Sequence, residues 1–199
     1  MNILIDIGHP GHAHLFKNFA KIMLSKGHQV LFTTRDKEFE IQLLNHENFH
    51  YKCLGKHYKS KVWKVFGLLK FTLQIIIISL KFKPSIYLSH GSIYAAISSW
   101  VLRKPHIAFE DTFNNEQVRL YLPFTNCVLT GNYAHPFLGA KQINYAGYHE
   151  LAYLHPNHFQ PDISIKKKLG VLENEKKTLR SQHKRGHPMH LPIPTKQSK

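Results

Sequence analysis

The stretch NILIDIGHPGHAHLFKNFAKIMLSKGHQVLFTT, Asn2–Thr34, decides the fold. An apolar run at Ile3–Ile7 enters a loop with two glycines, a proline and histidines. An amphipathic segment then leads to a second apolar run at Val30–Thr33. Strand, loop, helix and strand in that order open a parallel α/β arrangement.

The pattern continues outward. Further apolar runs fall at Phe49–Leu54, Ile86–Ser89, His106–Phe109, Cys127–Leu129 and Ile143–Tyr145, most of them separated by segments of helical period or composition. This alternation predicts an α/β fold, a Rossmann-like doubly wound parallel sheet. In such sheets ligands bind beyond the carboxyl ends of the strands, so the loops after each run are the informative ones.

The longest helical segment is KVWKVFGLLKFTLQIIIISLKFK, Lys61–Lys83. Val62, Val65, Phe66, Leu69, Leu73, Ile76, Ile77 and Leu80 share one face, which predicts that this face packs on the sheet. Lys64 and Lys70 interrupt the segment, so it holds no run of about 18 uncharged apolar residues and does not read as a membrane span. Trp63, Phe71 and Ile78 lie off the stripe, where with the lysines they suit either a lipid surface or a second buried contact.

A chain of 199 residues with 43% hydrophobic content is expected to bury one core. Two cysteines, Cys53 and Cys127, are too few for a disulfide framework, and MNILIDIGH reads as a strand rather than a leader. These features point to the cytoplasm. The net charge of +15 is unevenly placed. Ten Lys/Arg and no acid lie between Asn48 and Phe109, and seven Lys/Arg and no acid lie between Lys176 and Lys199. Basic surfaces of this kind suit nucleic acid, an anionic membrane or a phosphorylated substrate. No zinc finger, helix-turn-helix or RNA-recognition pattern is present, which argues against nucleic acid and leaves peripheral membrane contact or a plain solvated face.

The loop GHPGHAH places free N–H groups and a positive helix end where an anion or a sugar oxygen can bind. Gly8 and Gly11 allow the sharp turn, and His9 and His14 flank the site. It is neither GxGxxG nor a P-loop. His9, His12 and His14 invite a metal reading, but no HExxH or cysteine pair accompanies them, so no metal and no cofactor are expected. His12, at the loop's end, is placed to face the cleft and take a proton near neutral pH. His14 alternatively packs in the first helical turn. A second loop, SHGSIYAA, offers Ser89, His90, Gly91 and Ser92 to a hydroxyl or phosphate, or Ser92 as a simple helix cap.

GHPGHAHLFKNF, FEDT at Phe109–Thr112 and GYHELAYLHPNHFQPD at Gly147–Asp162 resemble the signature segments of the domain-of-unknown-function 354 family. That family is similar to the GT-B group of glycosyltransferases and UDP-N-acetylglucosamine 2-epimerases. The resemblance covers about Met1 to Val171. It implies that residues 1–150 are the N-terminal domain of a GT-B pair and that 151–172 begin the inter-domain linker; a chain of 199 residues is expected to leave no room for the partner domain. It also implies a nucleotide sugar as donor and a sugar or lipid-linked acceptor, with Gly8, Gly11 and His12 on the glycine-rich loop. Glu110 falls where relatives carry a glutamate, as a general base or a holder of a sugar hydroxyl; Asp111 adds a second carboxylate and Thr112 a hydroxyl. Tyr148, Glu150 and Tyr153 read as hinge or interface residues.

Residues 173–199 turn basic and read as a disordered tail, as after a frameshift, a truncation or in a natural short form. The functional expectation is the acceptor-side half of a sugar-nucleotide enzyme, by transfer or epimerisation. The alternatives are a binding module for an anionic membrane or partner subunit, and an inactive fragment.

Overall fold

The computed structural model describes residues 1–56, 58, 61–112, 114–132, 137–162, 164–168 and 170. The basic segment at 173–199 lies outside them.

Seven strands form one sheet: β1 (Asn2–Asp6), β2 (Gln29–Asp36), β3 (Tyr51–Lys56), β4 (Ile86–His90), β5 (His106–Glu110), β6 (Cys127–Gly131) and β7 (Gln142–Tyr145). Their order is β3-β2-β1-β4-β5-β6-β7, and every neighbouring pair is parallel. Each apolar run of the sequence overlaps one of these strands, with Ile7 falling just past β1 and Phe49 and His50 just before β3. The direction of winding reverses between β1 and β4, and that crevice opens at the carboxyl ends of the strands.

Period-two alternation divides β1 between the two faces of the sheet. Ile3, Ile5 and Ile7 join Phe16 and Ala20 of helix α1 (Pro10–Ser25) and Leu44 of helix α2 (Glu40–His46) in one core. Leu4 faces the other way and packs with Leu54, Tyr87, Phe71 and Ile75, the last two from helix α3 (Lys61–Phe82). A third cluster joins Ala96 of helix α4 (Ile93–Val101), Ala108, Val128, and Val118 and Tyr121 of helix α5 (Asn115–Tyr121). Helix α6 (Leu151–Leu154) returns to α1, where the Asn18 side chain donates to the Ala152 carbonyl at 2.8 Å. Met1–Gln160 form one compact unit. In a second unit, Ser164–Lys168 form the short helix α7.

Helix α3 reverses the expected facing. Phe71 and Ile75 are 1% and 0% exposed, whereas Val65, Leu69 and Leu80 of the regular stripe are 64%, 63% and 61% exposed. Phe66, Leu73 and Ile77 are exposed with them. The sheet needs only a narrow strip of α3, because Thr72 and Ser79 also lie on the buried side, and the Thr72 carbonyl accepts the Ser98 hydroxyl of α4 at 3.2 Å. The wider apolar face is left outward. Val65–Phe82 has a mean hydropathy of 1.8, long and apolar enough by composition to cross a membrane, with 28% of it buried. As the crossover from β3 to β4, packed on α4 and the sheet, α3 lies along the fold.

Candidate functional site

The crevice at the switch point is a cleft of about 920 Å³, within the ~300–1,000 Å³ range of small-molecule sites. Its floor is a buried charge pair. Asp6, at the end of β1, is 1% exposed; Arg35 of β2 places Nη1 2.8 Å from both carboxylate oxygens. The Thr33 hydroxyl donates to Oδ1 at 2.7 Å and the Ser92 hydroxyl to Oδ2 at 2.5 Å, so one carboxylate ties β1, β2 and the start of α4 together. The Arg35 guanidinium also lies over the Tyr94 ring, 5.0 Å from its centroid. A Cβ on Gly8 would stand 2.5 Å from Arg35 Nη2, which is why the loop passes over the arginine with a glycine.

The loop after β1 then turns into α1. His9 is the N-cap, accepting from the Gly11 N–H at 3.1 Å, and its exposed ring is 3.7 Å from Glu38. His12 turns back beneath the loop, where its Nδ1 accepts the Gly8 N–H at 3.3 Å. Burial, reinforced by His90, His9 and Arg35, pushes its imidazole down to about 2. The ring is therefore neutral, and with Nδ1 taken as acceptor the proton resides on Nε2.

His12 stacks on His90, from the end of β4, with ring centroids 4.4 Å apart and planes 24° apart. Nε2 of His90 lies 2.8 Å from Asp111 Oδ1. The hydrogen bond from His90 holds the Asp111 carboxyl below the usual carboxylate range against the opposing effect of burial. Beyond Asp111 stands His149, buried and 3.8 Å from Oδ2 through Nδ1. Among the described residues, neither ring nitrogen of His149 finds a hydrogen-bond partner, and burial holds that imidazole below its ordinary value. Among the described residues, no group of three or more His, Cys, Asp or Glu could hold a metal ion.

The structure sorts the expected residues. Gly8, His9, Gly11, His12, His90, Gly91, Ser92, Asp111 and Thr112 line the cleft. Ser89, Glu110 and His14 do not. Ser89 is fully buried, paired with His106 Nε2 at 2.9 Å and accepting the Ser92 N–H at 3.0 Å; it shapes the loop from behind. Ser92 serves as the α4 cap as well, accepting the Ala95 N–H at 3.3 Å. Glu110 alternates away from Asp111 along β5 and is 1% exposed. It accepts the Tyr121 hydroxyl at 2.6 Å and both the N–H and hydroxyl of Thr112, so its oxygens are engaged inside the fold rather than offered to a ligand. His14, in the second turn of α1, stacks obliquely on Tyr153, centroids 5.6 Å apart. Gly91 holds φ +58°, and a Cβ there would come within 3.1–3.3 Å of Glu110, Tyr121 and Gln117.

Among the residues of the site not expected from the sequence are Asp6, Arg35, Lys37 and His149. Asp6 carried a usable signal, being a charge inside an otherwise uncharged apolar run; Arg35, beside Asp36 and Lys37 at the end of its strand, did not. His149 carried none, because only the return of the chain after β7 brings it to Asp111. Of the expected hinge residues, Glu150 and Tyr153 line the cleft and Tyr148 is exposed.

The profile of a family described as "Protein of unknown function (DUF354)" matches residues 1–187. An uncharacterized protein of Methanocaldococcus jannaschii is 25% identical over 183 residues, covering 87% of this chain and 54% of that protein. Among solved structures, MurG of Acinetobacter baumannii superposes with a TM-score of 0.62 at 15% identity, over 72% of this chain and 45% of that one. A UDP-GlcNAc 2-epimerase of M. jannaschii gives 0.52 at 11% identity, over 66% and 40%. The Neisseria meningitidis UDP-GlcNAc 2-epimerase, bound to UDP-GlcNAc, gives 0.52 at 13% identity, over 65% and 40%. The chain thus spans about half the length of the proteins it matches. At these identities the likeness is one of fold, to the N-terminal halves of GT-B glycosyltransferases and epimerases.

Proposed function

We propose, from the premise that the chain belongs to the DUF354 family, that its cleft binds the sugar end of a nucleotide-sugar reaction, as the acceptor-side half of a GT-B-type enzyme. The carrying observation is the placement of Arg35, the α1 N-terminus and the His12–His90–Asp111 chain in one crevice at the switch point. Arg35, paired with Asp6 through Nη1, lines the cleft and favours an anion such as a diphosphate, and the imidazoles and Asp111 suit sugar hydroxyls. The M. jannaschii and N. meningitidis neighbours, UDP-GlcNAc 2-epimerases, support this reading by their fold. Amide spectra of the chain titrated with UDP-N-acetylglucosamine should move at Gly8, His9, Gly11 and Gly91. Signals that stay fixed at millimolar ligand would sink the reading.

A second reading concerns where the protein works, and the outward apolar stripe of α3 favours it. Phe66, Leu69, Leu73, Ile77 and Leu80 form an exposed row, and Lys81 and Lys83 are exposed at its end. An acid-free segment with such a row suits the surface of an anionic bilayer. Val65 and Leu68 of the same helix also line the cleft, so a lipid-linked acceptor lying in that surface would meet the site. The chain should co-sediment with phosphatidylglycerol vesicles and less with pure phosphatidylcholine, and Leu69→Glu/Leu73→Glu should release it. Equal sedimentation with both lipids, or retention by the double variant, removes this reading.

A further inference from the structure

We propose that His90, oriented by Asp111, is the general base of the cleft, and that His12 is a neutral hydrogen-bond donor rather than the base. The inference deepens the nucleotide-sugar reading and rests on it for the identity of the proton donor.

The two imidazoles are stacked face to face yet held in opposite roles by their partners. A neutral imidazole has one protonated nitrogen and one lone pair. In His12 the lone pair belongs to Nδ1 and already receives the Gly8 N–H, so only the Nε2 proton remains to offer. The depressed value of about 2 agrees, since a ring that stays neutral throughout the physiological range is also a poor place to store a proton.

In His90 the arrangement is inverted. Asp111 holds its carboxyl in the anionic form and takes the Nε2 proton at 2.8 Å. The lone pair is thereby assigned to Nδ1. A carboxylate that fixes the tautomer of an imidazole and stabilises the imidazolium formed on proton uptake is the arrangement used by acid–base dyads on unrelated folds. His149 Nδ1 approaches the same carboxylate, 3.8 Å from Asp111 Oδ2.

In the group-transfer form of the reaction, the proton of the acceptor hydroxyl passes to His90 Nδ1. The hydroxyl oxygen forms its bond to the anomeric carbon of the donor. The bond from that carbon to the diphosphate oxygen breaks, and its electron pair leaves with the nucleoside diphosphate. Asp111 carries the compensating negative charge throughout and is a positioning residue; His12 donates Nε2–H to an oxygen of the ligand.

The test uses the full chain with 15N-labelled histidine, whose ring spectra distinguish the tautomers. His90 should carry its proton on Nε2 and His12 on Nε2. Asp111→Asn should move the His90 proton to Nδ1, because the amide N–H is then available to donate, and Asp111→Glu should restore Nε2. A His90 proton on Nδ1 in the wild type, or no change in Asp111→Asn, would overturn the assignment. In UDP release from UDP-N-acetylglucosamine, His90→Gln should lower kcat by ~10²–10⁴-fold with KM nearly unchanged, the usual contribution of a positioned base. A change confined to KM, or a larger kcat loss from His12→Gln than from His90→Gln, would also overturn it. The tautomer spectra are recorded without ligand, so failure of nucleotide sugars to bind is distinguishable from failure of the dyad.

Discussion

Arg35 Nη1 stands 2.8 Å from both carboxylate oxygens of Asp6, with each partner less than a tenth exposed. This pair forms the floor of the cleft, and its two members come from adjacent strands, β1 and β2. Removing one partner leaves a buried charge without its counter-ion, which costs ~3–5 kcal/mol. Asp6→Ala should therefore show a large fall in the urea midpoint. Asp6→Asn, which keeps the shape and an acceptor for Thr33, should lose less. Equal stability of Asp6→Ala and wild type would mean that the pair does not anchor the sheet.

Gly8→Ala probes the same floor from above. The added methyl would meet Arg35 Nη2, and Arg35 cannot swing away freely because Asp6 holds its other nitrogen. Overpacking of this kind costs ~1–3 kcal/mol. Ligand-induced shifts at Gly11 and Gly91 should weaken in parallel, as the guanidinium is displaced from the cleft. A Gly8→Ala chain that binds and melts as wild type would show that Arg35 relaxes at no cost.

The fold's dependence on acid follows from a histidine outside the cleft. His106 is fully buried, between the Ser89 and Thr125 hydroxyls, and burial pushes it down to about 3. Its folded value lies below the ordinary 6.5, so the unfolded chain takes up the proton first. The stability from keeping this ring neutral is complete above about pH 7 and is lost as the pH falls from ~6.5 toward ~3, by up to ~1.4 kcal/mol per unit. His12 adds a loss of the same sign. Urea midpoints measured from pH 7 to pH 5 should fall, and His106→Gln should flatten the slope. A midpoint that rises on acidification would contradict the burial of neutral rings.

How much of this was legible in the sequence depends on whether an element obeys local or global constraints. The seven strands were legible, because Ile3–Ile7 and its successors are short apolar runs whose neighbours break cleanly into loops or helices. The loop residues Gly8, His12 and His90 were legible from the switch-point rule for doubly wound sheets. The roles of Glu110 and Asp111 were not, since a single step along β5 decides which faces the cleft, and the register with Tyr121 is set by the packing of α5. His149 and Arg35 enter the site through tertiary return of the chain, which no spacing reports. For α3, the regular apolar stripe predicts the wrong core face. The sheet instead accepts the less regular side bearing Phe71 and Ile75, where the Thr72 carbonyl also accepts the Ser98 hydroxyl of α4.

Glu110 separates a structural acid from a catalytic one. Tyr121→Phe removes the hydroxyl that donates to Oε2 and leaves a buried carboxylate oxygen without that partner, a cost of ~1–3 kcal/mol. The same variant should leave the His90 tautomer unchanged, since Asp111 faces the other way. Loss of stability with an intact His90 signal supports this division of labour. A disturbed His90 signal would tie Glu110 to the cleft.

The reversal of α3 makes opposite demands on two neighbouring residues of one helix. Phe71 lies in the core with Leu4, Leu54 and Tyr87, so Phe71→Ala should cost ~3–5 kcal/mol through lost burial and a residual cavity. Leu73, two positions later, is 58% exposed. Leu73→Glu should change the urea midpoint by less than ~0.5 kcal/mol equivalent, as for other surface substitutions away from special features. Had the regular stripe faced the sheet, the order would be inverted, with Leu73→Glu unfolding the chain and Phe71→Ala nearly silent. The pair of melts therefore settles which face of α3 meets the sheet, and which is free to meet a bilayer.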